Sequence, residues 1–226
     1  MKRSSSRRTE SSYKILYFFF GRRTRKNRNI WQKSLDQLTK RSMIEFAEQK
    51  QLELSTDYQR LIQLFMNQNL ALPFKNNTAE VYVSGYEFFP ALFATISKAK
   101  HHIHIVSYII DDDPLGRLLR DTLIDKARKG IEIRFLFDDV GSWKTKNKFF
   151  EQMLEEGIEV HPFMPVRFPA FTGKVNYRNH RKIIVIDGKV GFIGGMNFAQ
   201  RYIKGNKNVK WRDTHIKING PAVYGL

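Results

Sequence analysis

From Glu80 onward the chain alternates short β-rich runs with helical ones, and this alternation limits the folds open to it more than any other feature. Glu80–Val83, His102–Ile109 and Ile131–Phe137 are rich in β-branched and aromatic residues. Glu87–Lys98, Leu115–Lys129 and Asn147–Glu156 instead carry apolar residues at helical spacing. Gly130 and Gly157 close two of these helices, and Asp112-Asp113-Pro114 reads as a turn and helix start whose acids suit the positive end of the helix dipole. A short strand over Ile158–Val160 follows. The pattern then changes, because Lys182–Ile186 and Val190–Ile193 flank Asp187-Gly188, a two-residue hairpin signal, and a last strand spans Thr214–Ile218. The expected fold class is α/β, a parallel or mixed sheet flanked by helices.

This domain is expected over residues 76–226. Residues 42–75 read as a helical linker, with Ile44, Leu61, Ile62 and Leu64 at loosely helical spacing and a break from Leu72-Pro73 to Asn76-Asn77. Residues 1–41 form a basic segment with 13 Lys/Arg against 2 Asp/Glu, in a chain of net charge +17. Such a block attracts polyanions, so charge alone suits both nucleic acid and an anionic membrane surface. Its longest apolar run, Ile15–Phe20, falls far short of the roughly 18 residues of a membrane span, and no small-residue cleavage site follows it. A floppy basic tail and an interfacial anchor, aromatics in the headgroup boundary and Arg/Lys on anionic lipid, both remain open. The absence of cysteine excludes disulfides and thiolate metal sites.

Six histidines are available for chemistry: His101, His102, His104, His161, His180 and His215. A strand beginning at His180 would place His180 and Lys182 on one face and Arg181 on the other. That pair suits phosphoryl chemistry: a neutral imidazole attacks phosphorus while an ammonium neutralises the non-bridging oxygens, and neither step needs a cofactor or a metal. Asp187 falls on the opposite strand face by parity, which favours a turn or structural role. A nucleophilic histidine needs an acid to stabilise its imidazolium, and Asp213, entering the last strand, is the candidate. Gly194 and Gly195 permit positive φ and close approach of backbone N–H groups to an anion, and Asn197 offers an amide donor. Asp138 and Asp139 end a strand and are expected to order a loop near the site. A metal site from His101, His102 and His104 with Asp111, Asp112 and Asp113 is the weaker reading of that cluster.

His180-x-Lys182-x4-Asp187-x6-Gly194-Gly195-x-Asn197 resembles the phospholipase D signature. Tyr177–Lys182, Gly194–Asn197, Trp211–His215 with Gly220–Val223, and Asp138–Ser142 look like bacterial cardiolipin synthase, as does Tyr17–Arg23. The resemblance covers roughly residues 13–226. It implies a phospholipase D-like half-domain carrying the first of two motifs. The reaction it implies is phosphatidyl transfer between phosphatidylglycerol molecules through a phosphohistidine. In that scheme His180 is nucleophile or general acid, Lys182, Gly195 and Asn197 bind phosphate, Asp187 belongs to the motif and Asp213 partners His180. It also implies a location at the bacterial cell membrane, with the catalytic part on the cytoplasmic side, and no nucleic-acid partner.

Two departures bear on this. The family carries a second histidine-lysine motif and two preceding hydrophobic spans, neither of which this sequence contains, so the chain is expected to be a fragment or to complete its site with another chain. Val106-Ser107 also stands where many relatives have an acidic and an aromatic residue. A single-motif homodimeric nuclease or phosphodiesterase and an inactive membrane-binding remnant remain the alternatives.

Overall fold

The structure, a computed structural model, describes residues 60, 61, 64, 74–166, 178–205 and 210–226. The basic segment and nearly all of the expected helical linker lie outside the described residues. From Thr78 the elements run β1 (Thr78–Tyr82), α1 (Gly85–Ile96), β2 (His102–Ser107), α2 (Pro114–Arg128), β3 (Glu132–Asp138), α3 (Asn147–Glu155) and β4 (Glu159–Phe163). They continue with β5 (Ile183–Ile186), β6 (Val190–Gly194), a short α4 (Arg201–Lys204), β7 (His215–Asn219) and a closing 3-10 turn at Pro221–Gly225. The strands form one sheet of order β1-β7-β6-β5-β2-β3-β4. β2, β3 and β4 are parallel, and every other pairing is antiparallel, so the sheet is mixed.

The alternation in β2 is followed closely: Ile103, Ile105 and Ser107 are buried, and the residues between them are half-buried. The buried strand face packs against Phe88, Phe89, Leu92 and Ile96 of α1, Leu119 and Leu123 of α2, and Phe149, Phe150 and Met153 of α3 in a single core. Each large side chain buried in this way contributes about 1.5–3 kcal/mol. The helix start at Asp113 forms as expected, its carboxylate accepting from the Leu115 and Gly116 N–H groups, both at 3.0 Å. Asp187 and Gly188 both take positive φ, 54° and 63°, which gives the β5–β6 hairpin the turn twist that two-residue loops require.

The first and last strands are displaced by one or two residues from the expected Glu80–Val83 and Thr214–Ile218, and three further boundaries differ in ways that have a physical reason. β4 runs on through His161, Pro162 and Phe163, because it lies at the sheet edge, where proline's missing N–H breaks no ladder. β2 ends at Ser107 rather than Ile109, since the Ile109 N–H turns away to Asn197 Oδ1 at 2.9 Å. β5 starts at Ile183, opposite Val106 near the end of β2, so His180 and Lys182 precede the strand instead of opening it.

Candidate active site

The pairing directions bring several strand ends to one edge of the sheet. The C-terminal ends of β2, β3 and β6 meet the N-terminal ends of β5 and β7. Asp138, 1% exposed at the end of β3, ties this edge together. Its Oδ1 accepts from the Val140 and Gly141 N–H groups at 3.0 Å, and its Oδ2 accepts from Asn179 N at 2.9 Å. Arg178 Nη1 adds an ion pair at 3.5 Å. Asp138 thus orders the loop after β3, as expected, and also anchors the residue before His180.

Lys182, only 3% exposed, turns back so that Nζ donates to the His180 carbonyl at 2.7 Å and meets His180 Nδ1 at 3.0 Å. An ammonium donating to Nδ1 leaves the ring proton on Nε2. Tyr108 forms the wall of this pair: its ring lies 4.5 Å from that of His180, and Lys182 Nζ sits 5.3 Å from its centroid. The Ser107 hydroxyl beside it donates to Ile109 O at 2.9 Å, bending the chain after β2.

These strand ends surround an imidazole and an ammonium carried on one motif. The family described as "Cardiolipin synthase, PLD-like domain" matches residues 92–220, more than half of the chain. The chain belongs to this family. It is 38% identical over 218 residues to a cardiolipin synthase of Geobacillus sp. (strain WCH70), covering 94% of this chain and 43% of that protein. It is 49% identical over 147 residues to the cardiolipin synthase of Geobacillus kaustophilus, covering 65% and 29%. The chain therefore spans less than half the length of these curated relatives. Among solved structures, phosphatidylserine synthase of Haemophilus influenzae superposes with a TM-score of 0.55 at 15% identity, over 74% of this chain and 38% of that one. NucT from Helicobacter pylori superposes with a TM-score of 0.51 at 18% identity, over 66% and 89%. Both likenesses are of fold, and the mixed sheet flanked by helices is the phospholipase D-like architecture.

Within this cardiolipin synthase-type domain, burial and then the Lys182 charge hold the His180 imidazole below its ordinary pKa, and Asp138 partly opposes them. His180 is neutral at pH 7. Burial likewise lowers the Lys182 pKa, and the Asp213 carboxylate opposes that shift.

The expected partnership of Asp213 with His180 is not made. Among the described residues no hydrogen bond joins them, and the field of Asp213 falls on Lys182, while the acid that acts on His180 is Asp138. The reason is local. Asp213 Oδ1 accepts from its own Thr214 N–H at 2.7 Å, and its carboxylate rests against Gly195, where an added Cβ would lie 2.0 Å from Oδ1.

Gly195 is therefore required for close approach of Asp213, not for positive φ, which neither Gly194 nor Gly195 adopts. Their N–H groups bind the Lys182 and Thr214 carbonyls and are not turned toward an anion. Asn197 is buried and engaged at both ends of its amide, accepting from Ile109 N and donating to the Tyr202 hydroxyl. It braces the loops around the pair. Asp187 lies at the far end of β5, where it accepts from the N–H groups of Lys100, His101 and His102 at 2.8–3.0 Å.

Sequence reasoning gave no role to Tyr108, and to His215 none beyond its place among the six histidines. His215 is fully buried and stacks on Phe88 at 3.9 Å, and burial followed by the charge of Lys182 drives its pKa down to about 3. Its Nδ1 accepts from Met196 N at 3.4 Å, while Nε2 has no partner among the described residues. Tyr108 had no signal in the sequence, and His215 had only its place at the end of the Trp211–His215 motif. The His102–His104 strand stands apart from the site. Asp111 pairs with Arg201, Asp112 with Arg117, and Asp113 caps α2. Among the described residues no group of three or more His, Asp or Glu is placed to hold a metal.

Proposed function

We propose that this domain is the first catalytic half of a cardiolipin synthase-like phosphatidyltransferase, and that His180 attacks the phosphodiester of phosphatidylglycerol. The observation that carries this reading is the His180–Lys182 pair. A neutral imidazole lies 3.0 Å from a buried ammonium at an open strand edge, with the carboxylates Asp138 and Asp213 one to each partner.

In the first step an imidazole nitrogen forms a bond to phosphorus, the P–O bond to the headgroup glycerol breaks, and the leaving alkoxide takes a proton from an acid. Lys182 moves from Nδ1 to the phosphate oxygens and neutralises the charge that develops there. With that contact released, the ring proton passes to Nδ1 and Nε2 presents its lone pair. Asp138 supports the imidazolium, and Asp213 keeps Lys182 charged. In the second step the hydroxyl of another phosphatidylglycerol attacks phosphorus and gives its proton to the group that served as acid in the first, the P–N bond breaks and His180 is restored. The acid for the first step is the histidine of a second motif-bearing half, in the same full-length chain or in another. Gly195, Asn197 and Asp187 hold the frame around this pair, and the membrane supplies both substrates, with catalysis on its cytoplasmic side.

The decisive experiment is trapping. Protein incubated with vesicles of phosphatidylglycerol labelled in its phosphate, then quenched in alkali, should carry covalent label. His180→Asn should lose it and lower transfer by about 10³-fold or more. Label retained by that variant would remove His180 from the mechanism.

A further inference from the structure

The sheet edge that carries the site also carries the two most exposed aromatic residues of the described chain, Trp143 at 77% and Tyr86 at 64%, with Trp211 at 36% beside them. They come from the loop after β3, the start of α1 and the approach to β7, all at the His180 end of the strands. Tyr224, at 59%, lies at the opposite end against the Gly188 turn. Exposure of Trp143 is built in rather than accidental. The loop that bears it is fastened on both sides by buried residues. Ser142 Oγ accepts from Ile110 N at 3.1 Å, and Thr145 Oγ1 donates to Ile110 O at 2.7 Å. The indole therefore projects from a fixed turn. Exposed Lys144, Lys146 and Arg212 flank the two indoles, and among the described residues none of the three is in an ion pair.

We infer that this rim is a docking surface for an anionic lipid bilayer, with Trp143 as its central anchor and the lysines and Arg212 on lipid phosphates. Indole and phenol rings favour the headgroup level because one side is apolar and the other polar, and nearby cations are drawn to an anionic leaflet. Docked in this orientation, the strand ends face the bilayer, and His180 meets phosphodiesters at the height where they lie. Single-stranded nucleic acid also combines aromatics with cations, but it stacks successive bases on neighbouring platforms. Here no ring contact joins Tyr86, Trp143 and Trp211 to one another. The inference takes its purpose from the phosphatidyl-transfer reading, but its test needs no turnover.

The basic segment 1–41 carries charge that attracts anionic vesicles in its own right, so the test must report position and not binding alone. In the 226-residue chain, Trp31→Phe with Trp211→Phe leaves Trp143 as the sole emitter. A control adds Trp143→Phe and Leu154→Trp, which places the reporter at the opposite end of α3. On vesicles of phosphatidylcholine and phosphatidylglycerol containing bromine-labelled phosphatidylcholine, Trp143 should shift to the blue and lose most of its emission, while the reporter at 154 should not. Equal quenching of both would mean that the domain has no preferred face on the bilayer, and would overturn the inference. So would quenching of Trp143 by a single-stranded oligothymidine with none by lipid. If a variant fails to fold, the unsubstituted chain labelled with 5-fluorotryptophan gives the same reading through selective broadening of the Trp143 resonance by spin-labelled lipid. Docking without His180 labelling would fail the transfer reading alone, and labelling without Trp143 quenching would fail the docking inference alone.

Discussion

At the turn end of β5, Asp187 accepts three backbone N–H bonds from the chain entering β2. At the other end, His180 and Lys182 face each other with no carboxylate hydrogen-bonded to either among the described residues. One short motif thus joins a fully satisfied end to an incomplete one. The satisfied end fixes the hairpin against β2, and so fixes where β5 begins. The other end places side by side two groups that favour an anion, an arrangement that the phosphate of the proposed transfer would complete.

Exchanges at the two ends should therefore separate stability from activity. His180→Asn, the largest effect on transfer, should leave the unfolding free energy from urea titration within about 0.5 kcal/mol of wild type, because the side chain is exposed. Asp187→Ala should instead cost about 2–4 kcal/mol of unfolding free energy, since it strands three donors and puts alanine at positive φ. Asp187→Asn should cost less, because the amide keeps an acceptor oxygen and tolerates the turn. An Asp187→Ala variant of wild-type stability and lowered transfer would reverse the assignment and make the carboxylate part of the chemistry.

The two ends should also differ in their response to acid. At Asp187, burial alone would raise the carboxyl pKa, but the three N–H groups outweigh it and hold the group below its ordinary 3.8. Its stabilisation is present above 3.8 and is lost only as pH falls through the lower folded value. At the site end, buried His215 binds a proton near 6.5 when unfolded and only near 3 when folded. Its stabilisation is complete above 6.5 and drains away from there toward about 3. Urea titrations should show a loss of about 2 kcal/mol between roughly pH 7 and 5. His215→Phe should remove most of that slope whatever its absolute stability, and an unchanged slope would place the titrating group elsewhere.

The unequal legibility of the two ends has the same origin. The elements could be read because alternation in β2 and apolar spacing in α1 to α3 are local patterns, and the Asp187-Gly188 turn is a local signal as well. Parity alone set Asp187 apart from His180. What could not be read depends on contacts between distant segments. The site of β5 initiation is set by where β2 ends. The need for glycine at 195 comes from Asp213, eighteen positions later in the chain. The assignment of Asp213 to His180 rested on strand order without side-chain direction, and Tyr108 carries no mark in sequence that it will face His180.

The subtlest test of the incomplete end is Asp213→Asn. Burial pushes the Lys182 pKa down and Asp213 restrains that fall, so removing the carboxylate charge should lower the Lys182 value further. Lysine loses its charge as pH rises through its pKa, so the alkaline limb of the transfer profile should move to lower pH. The asparagine is nearly isosteric and keeps the close packing on Gly195, which leaves folding unchanged. That displacement of the alkaline limb slows transfer on the alkaline side and leaves a near wild-type rate on the acid side. A merely structural Asp213 would slow transfer equally at every pH, and a direct partner of His180 would move the acid limb instead. The shape of the profile therefore decides which member of the pair Asp213 serves.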